Sequence, residues 1–181
     1  QSAGGFTALV VAGAQPDLSR GTAYCKANPA AWTCRYIRKH GLKPEVVGKL
    51  NSVRWQADPR VKAAVITAPA IGYSFDRTAL ADVRIPLQLW AAQHDRVVDD
   101  SPETIRRALA ASPEYHMVKQ AGHFSFTEPC NLQIRAIIAI MQMFGTEPIC
   151  TDPAGFDRAA FHTVFNKAVL QFFEDALPRG S

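Results

Sequence analysis

The chain begins with an uncharged run of small and apolar residues, SAGGFTALVVAGA from Ser2 to Ala14, which suits a helix buried on most sides and starting close to Ser2. Residues 15–30 are broken by Pro16, Gly21 and Pro29 and predict a loop that carries Cys25. Helical spacing returns from about Ala30 to His40 and from Pro44 to Trp55. In the second stretch Pro44 suits a first turn, and Val46, Val47, Leu50 and Val53 share one face. These two helices read as a lid-like insertion over residues 28–57.

Beyond the insertion the apolar pattern shortens and becomes β-branched. Val61 to Thr67, bounded by Pro59 and Pro69, predicts a buried strand. A second strand is expected in IPLQLWAAQHD, after Pro86, because proline is tolerated at a strand's first residue. A third lies within EYHMVKQAGH and closes before Gly122. Between the last two, SPETIRRALAA predicts a helix with Ser101 as N-cap, Pro102 at the first helical position and Glu103 in the first turn. Strand, helix and strand at this spacing mean parallel strands joined by right-handed crossovers, so the fold class is α/β. A last helix is expected from about Phe156 to Leu177, with Phe161, Phe165, Ala168, Val169 and Phe172 as its buried stripe. Residues 1–177 read as one domain whose first helix is fed by something upstream, and residues 178–181 read as a tail of expression-vector type.

Composition narrows the classes. The 181 residues are 48% hydrophobic and 20% charged, enough for one domain with a sizeable core. No apolar run approaches the roughly 18 residues of a membrane span. The net charge is +4, but Lys and Arg are scattered, with CRYIRKHGLK the densest stretch, so a solvated helix face is favoured over nucleic-acid binding. Four cysteines fall as two local pairs, Cys25 with Cys34 and Cys130 with Cys150, although four allow three pairings. There is no CxxC and no histidine at finger-like spacing, so zinc is unsupported. The even count, with no initiator Met, points to an exported protein with two disulfides, periplasmic or secreted. Four buried thiols in a cytoplasmic protein are the alternative.

Candidate chemistry follows from where the strands end, because functional groups in open α/β sheets gather at the carboxyl edges. Ser2 precedes the first helix, Asp95 follows the strand LQLWAAQ, and His123 follows HMVKQAG. A serine hydroxyl needs an imidazole to take its proton. The imidazole needs a carboxylate to fix its tautomer and stabilise the imidazolium. Glycines beside Ser2 suit a tight turn, and the helix N-terminus favours an oxyanion, with the Ala3 N–H as donor.

The order Ser, Asp, His and the stretches QSAGG, HDRVV and AGHFSF resemble the nucleophile, acid and base turns of α/β-hydrolases of the dienelactone hydrolase-like and platelet-activating-factor acetylhydrolase-like group. The tail from EPC through ICTDPAGFDRAAFHTVFNKAVLQFF is similar to bacterial, often exported members. The resemblance implies a serine esterase with nucleophile Ser2, acid Asp95 and base His123, a small-molecule ester substrate and no cofactor or metal. The elbow's first glycine, the upstream strands and the loop for the second oxyanion donor are missing. The chain therefore resembles a C-terminal portion whose N-terminal portion lies elsewhere.

Each position has a competing reading. Ser2 could simply cap a helix, and Asp99 or Asp100 could replace Asp95 or cap the next helix. His94 and His162 rival His123. Phe124 and Phe126 are candidate walls of an acyl pocket or plain core, Trp32 and Tyr36 candidate lid contacts or core or interface packing, and Asp157 and Arg158 are read as structural. A non-catalytic partner fragment is the second function class. A self-processing amidohydrolase fits poorly because Gln1 precedes Ser2, and no G-x-G-x-x-G follows a strand to support a dinucleotide site.

Overall fold

The computed structural model describes residues 1–41, 43–143 and 147–177. The tail 178–181 lies outside them. Three parallel strands, β1 (Ala64–Thr67), β2 (Leu87–Ala92) and β3 (Glu114–Val118), stand in the order β1-β2-β3. Helices α1 (Ala3–Val11) and α5 (Ser101–Ala108) cover one face, and α7 (Arg158–Ala176) covers the other. This is an α/β architecture built around a parallel sheet.

The central strand explains the layering. All six residues of β2 are buried, as expected for a parallel strand covered on both faces. Leu87 and Leu89 alternate toward Leu9 of α1, Ile66 of β1 and Ile105 of α5. Gln88 and Trp90 alternate toward α7, where Phe161 and Phe165 meet the indole edge to face. The fully buried Gln88 is satisfied: its amide donates to Glu114 Oε1 (2.8 Å) and the Ala168 carbonyl (3.3 Å) and accepts from Trp90 Nε1 (2.8 Å).

Several sequence expectations shift. Residues 15–30 are not a loop, because a short 3-10 turn (Leu18–Arg20) runs into helix α2 (Gly21–Ala27), and Cys25 sits on that helix. Asp17 caps the turn by accepting from Ser19 N, and Tyr24 stacks on Tyr73 with ring centroids 4.6 Å apart, so side-chain anchoring overrides the Gly and Pro signals. Helices α3 (Trp32–His40) and α4 (Pro44–Ser52) follow α2 along the chain. Strand β1 starts at Ala64, not Val61. Helix α5 begins one residue early, with Asp100 at the cap, and the Ser101 hydroxyl instead accepts from Gly72 N (2.9 Å). Helix α6 (Leu132–Gln142), for which no helix was expected, leaves Leu132, Ile137 and Ile140 exposed.

Both local cysteine pairs are disulfides, Cys25–Cys34 joining α2 to α3 and Cys130–Cys150 closing a 20-residue separation ahead of α7. Loop-closure entropy gives each about 3 kcal/mol of stability. A dithiol reductant is therefore expected to lower the urea midpoint of unfolding, and an unchanged midpoint would show that the crosslinks add nothing. Among the described residues no helix is long and apolar enough to cross a membrane.

Candidate functional site

Ser2 stands at the mouth of α1 in a backbone conformation that side-chain-bearing residues avoid, φ 54° and ψ −123°. Such a conformation costs about 1–3 kcal/mol and persists only where the surroundings hold it. Here they do. Its N–H donates to the Thr67 carbonyl at the end of β1 (3.0 Å), and its carbonyl accepts from Gly5 (2.9 Å), Phe6 (3.2 Å) and Ala70 (3.1 Å). The hydroxyl makes no capping hydrogen bond, so the simple N-cap reading of Ser2 does not describe what the side chain does.

The two neighbouring glycines differ. A Cβ at Gly5 would lie 3.0 Å from Pro69 Cβ, so α1 approaches the loop after β1 as closely as glycine permits; a Cβ at Gly4 would meet open space.

Asp95 and His123 meet across the ends of β2 and β3. Asp95 Oδ2 lies 2.8 Å from His123 Nδ1, with side chains 2% and 4% exposed. The other carboxylate oxygen accepts from Val97 N (2.9 Å) and Val98 N (3.1 Å), so the carboxylate is aimed by its own turn. Nδ1–H donates to Asp95 and leaves Nε2 as the ring's basic nitrogen. The His123 Nδ1 partner is Asp95, and among the described residues Asp99 makes no hydrogen bond to the ring; burial first, and then the charges of Asp100 and Asp95, push the Asp99 carboxyl up. His94 is exposed, and His162 Nε2 lies 3.1 Å from the Ser125 carbonyl, remote in role from the Asp95–His123 pair.

The turn bearing His123 is fastened from behind. Gly122 N donates to Ser125 Oγ (2.9 Å), and Ser125 Oγ donates to Asp152 Oδ1 (2.7 Å). Arg158, only 6% exposed, grips both Asp152 oxygens (2.8 and 3.0 Å) and donates to the Ile149 carbonyl (3.1 Å). Asp157 caps α7 by accepting from Ala160 N (3.0 Å). Gln1 Nε2 donates to the His123 carbonyl (3.0 Å), tying the residue before Ser2 to the same turn.

Ser2, Ala3, His123 and Phe124 line one cavity of about 830 Å³ together with residues of α3 and α4. Among the described residues no hydrogen bond joins the Ser2 hydroxyl to His123. Such contacts often tighten only when substrate binds. The Ala3 N–H, first amide of α1, has no backbone partner among the described residues, leaving a donor at the positive end of the helix dipole.

Trp32 and Tyr36 line the cavity, stacked at 5.1 Å. Phe126, for which a pocket wall and plain core packing were both open, packs in the core against Phe161 and Phe165, while Phe124 lines the cavity. Glu147 was not foreseen. It accepts from Trp32 Nε1 (2.7 Å) across 115 residues of sequence, and no local pattern announces that contact. Tyr73, raised by burial, and Tyr24, pushed up to about 12 by burial and by the charges of Asp99 and Asp100, both remain neutral phenols near pH 7.

Among the described residues no group of three His, Cys, Asp or Glu side chains is placed to hold a metal ion. No protein-family model, curated protein or solved structure matches the chain.

Proposed function

We propose that the chain is a serine hydrolase of the α/β-hydrolase type, resembling the dienelactone hydrolase-like group, that cleaves carboxylic esters. The observation that carries the reading is Ser2, held at positive φ on the N-terminus of α1 and sharing a cavity with a histidine aimed by a buried aspartate. Backbone strain of this kind gathers at functional positions.

In this reading Ser2 Oγ attacks the ester carbonyl carbon while His123 Nε2 takes the hydroxyl proton. The tetrahedral oxyanion accepts from the Ala3 N–H at the dipole end of α1. His123 returns the proton to the leaving alcohol, and the acyl group stays on Ser2. Water then attacks the acyl carbon, its proton going to His123 and back to Ser2 as the acid departs. Asp95 keeps the imidazole in its productive tautomer. The chemistry calls on no metal or organic cofactor.

A strand leading into Ser2 belongs alongside the outer edge of β1, since Ser2 N–H already pairs with Thr67 there. The reading takes that strand from an N-terminal portion of the same hydrolase, joined or separate. The two disulfides support a periplasmic or secreted setting.

A fluorophosphonate probe tests the reading on the natural polypeptide that carries residues 1–177. The expected result is one adduct, on the peptide containing Ser2. A folded protein that takes no label would favour the second reading, a non-catalytic partner seated in a larger assembly. That alternative draws on the outer edge of β1, which no strand covers among the described residues, and on the exposed apolar side chains of α6.

A further inference from the structure

Two cavities meet at His123. The larger, about 830 Å³, also contains Ser2 and Ala3; the smaller, about 590 Å³, contains His123 and Phe124 but neither of those residues. Their chemistry differs. Leu18, Trp32, Tyr36, Ile37, Val47 and Leu50 give the larger an apolar wall, whereas His94, Arg96, Thr151 and Asp152 make the smaller, which Val97, Pro148, Pro153 and Ala154 also line, the more polar of the two.

We infer that the substrate is an ester joining an uncharged, medium-length or longer apolar acyl chain to a polar alcohol, with the chain in the larger cavity and the alcohol in the smaller. The inference rests on the hydrolase reading, which supplies the direction. The acyl carbon must bond to Ser2 with its oxygen near the Ala3 N–H, so the acyl chain belongs where those two residues are. The leaving oxygen must take its proton from His123, so the alcohol departs on the side that His123 alone faces.

Charge sharpens the acyl preference. Among the described residues no Lys or Arg lines the larger cavity, and its one carboxylate, Glu147, accepts from Trp32. Tyr73 stays neutral, so a carboxylate on the acyl chain would enter an apolar space without a cationic partner. The volume lies in the range of small-molecule sites, about 300–1,000 Å³, and accommodates more than a short acyl group.

The test compares kcat/KM for p-nitrophenyl acetate, butyrate and octanoate and for the p-nitrophenyl hemiester of succinate. Each buried methylene is worth about 0.8 kcal/mol, near fourfold, so octanoate is expected to exceed acetate by at least tenfold even with partial burial. The succinate hemiester is expected to fall at least tenfold below butyrate. Leu50→Arg, at a position 38% exposed and tolerant of charge, is expected to lower the octanoate-to-acetate ratio and raise the hemiester-to-butyrate ratio. Thr151→Trp, at an exposed position, should slow 1-octanoylglycerol at least fivefold more than methyl octanoate. A flat or falling chain-length profile, or a hemiester as good as butyrate, overturns the acyl assignment while ester hydrolysis stands. Equal slowing of the two octanoates by Thr151→Trp overturns the division between cavities. Failure to turn over any ester overturns the hydrolase reading and this inference with it.

Discussion

Asp95→Asn is expected to lower ester turnover about 10⁴-fold while leaving the fold intact. The size of the effect follows from the asymmetry of the Asp95 turn. One carboxylate oxygen is held by two backbone donors, Val97 N–H and Val98 N–H, and must remain an acceptor. An asparagine would therefore keep its carbonyl oxygen there and present its NH₂ to His123 Nδ1. That nitrogen would have to accept, moving the ring proton to Nε2 and removing the lone pair that Ser2, as the proposed nucleophile, needs. Steady-state kcat and far-ultraviolet circular dichroism check the two halves of the expectation. Turnover within tenfold of the parent in a folded variant would exclude Asp95 as the group that sets the tautomer. Asp99→Asn is the control and is expected to stay within a few-fold, because Asp99 does not bond to the imidazole.

Arg158→Leu is expected to destabilise the protein by about 3–5 kcal/mol, the cost of leaving one member of a buried ion pair without its partner. Asp152 is 15% exposed and would retain only the Ser125 hydroxyl, while the Ile149 carbonyl would lose its donor. The damage should reach the site as well, since Ser125 links Asp152 to the amide of Gly122, immediately before His123. Arg158→Lys is expected to recover only part of the stability, because a point charge cannot span both Asp152 oxygens and the Ile149 carbonyl together. Urea unfolding measures both variants. A loss below 1 kcal/mol in Arg158→Leu would mean that water replaces the guanidinium without cost.

The same segments separate what was legible along the chain from what was not. Strands β1 to β3 and helices α3, α4, α5 and α7 were visible because their signals are local: short apolar runs bounded by proline or glycine, Pro102 and Glu103 in a first turn, apolar residues three and four apart. Helix α2 was hidden because Gly21 and the flanking prolines argue for a loop, and what outweighs them is a disulfide to α3 and stacking on Tyr73, neither of them local.

For the site, sequence by itself determined which residue types stand at the ends of the parallel strands, and so proposed Ser2, Asp95 and His123 with their rivals. That much follows from short apolar runs closed by proline or glycine, which act over a few residues, and from the resemblance carried by the chain order. Only the tertiary structure decided which of these side chains meet. It placed Asp95 rather than Asp99 against Nδ1, sent Phe126 into the core while Phe124 stayed at the cavity, joined Trp32 to Glu147, and held Ser2 at positive φ through partners on β1 and the loop after it. These outcomes depend on where strands and helices distant in sequence come to rest against one another. A hydrogen bond with a reach near 3 Å is decided there, and no local pattern encodes it.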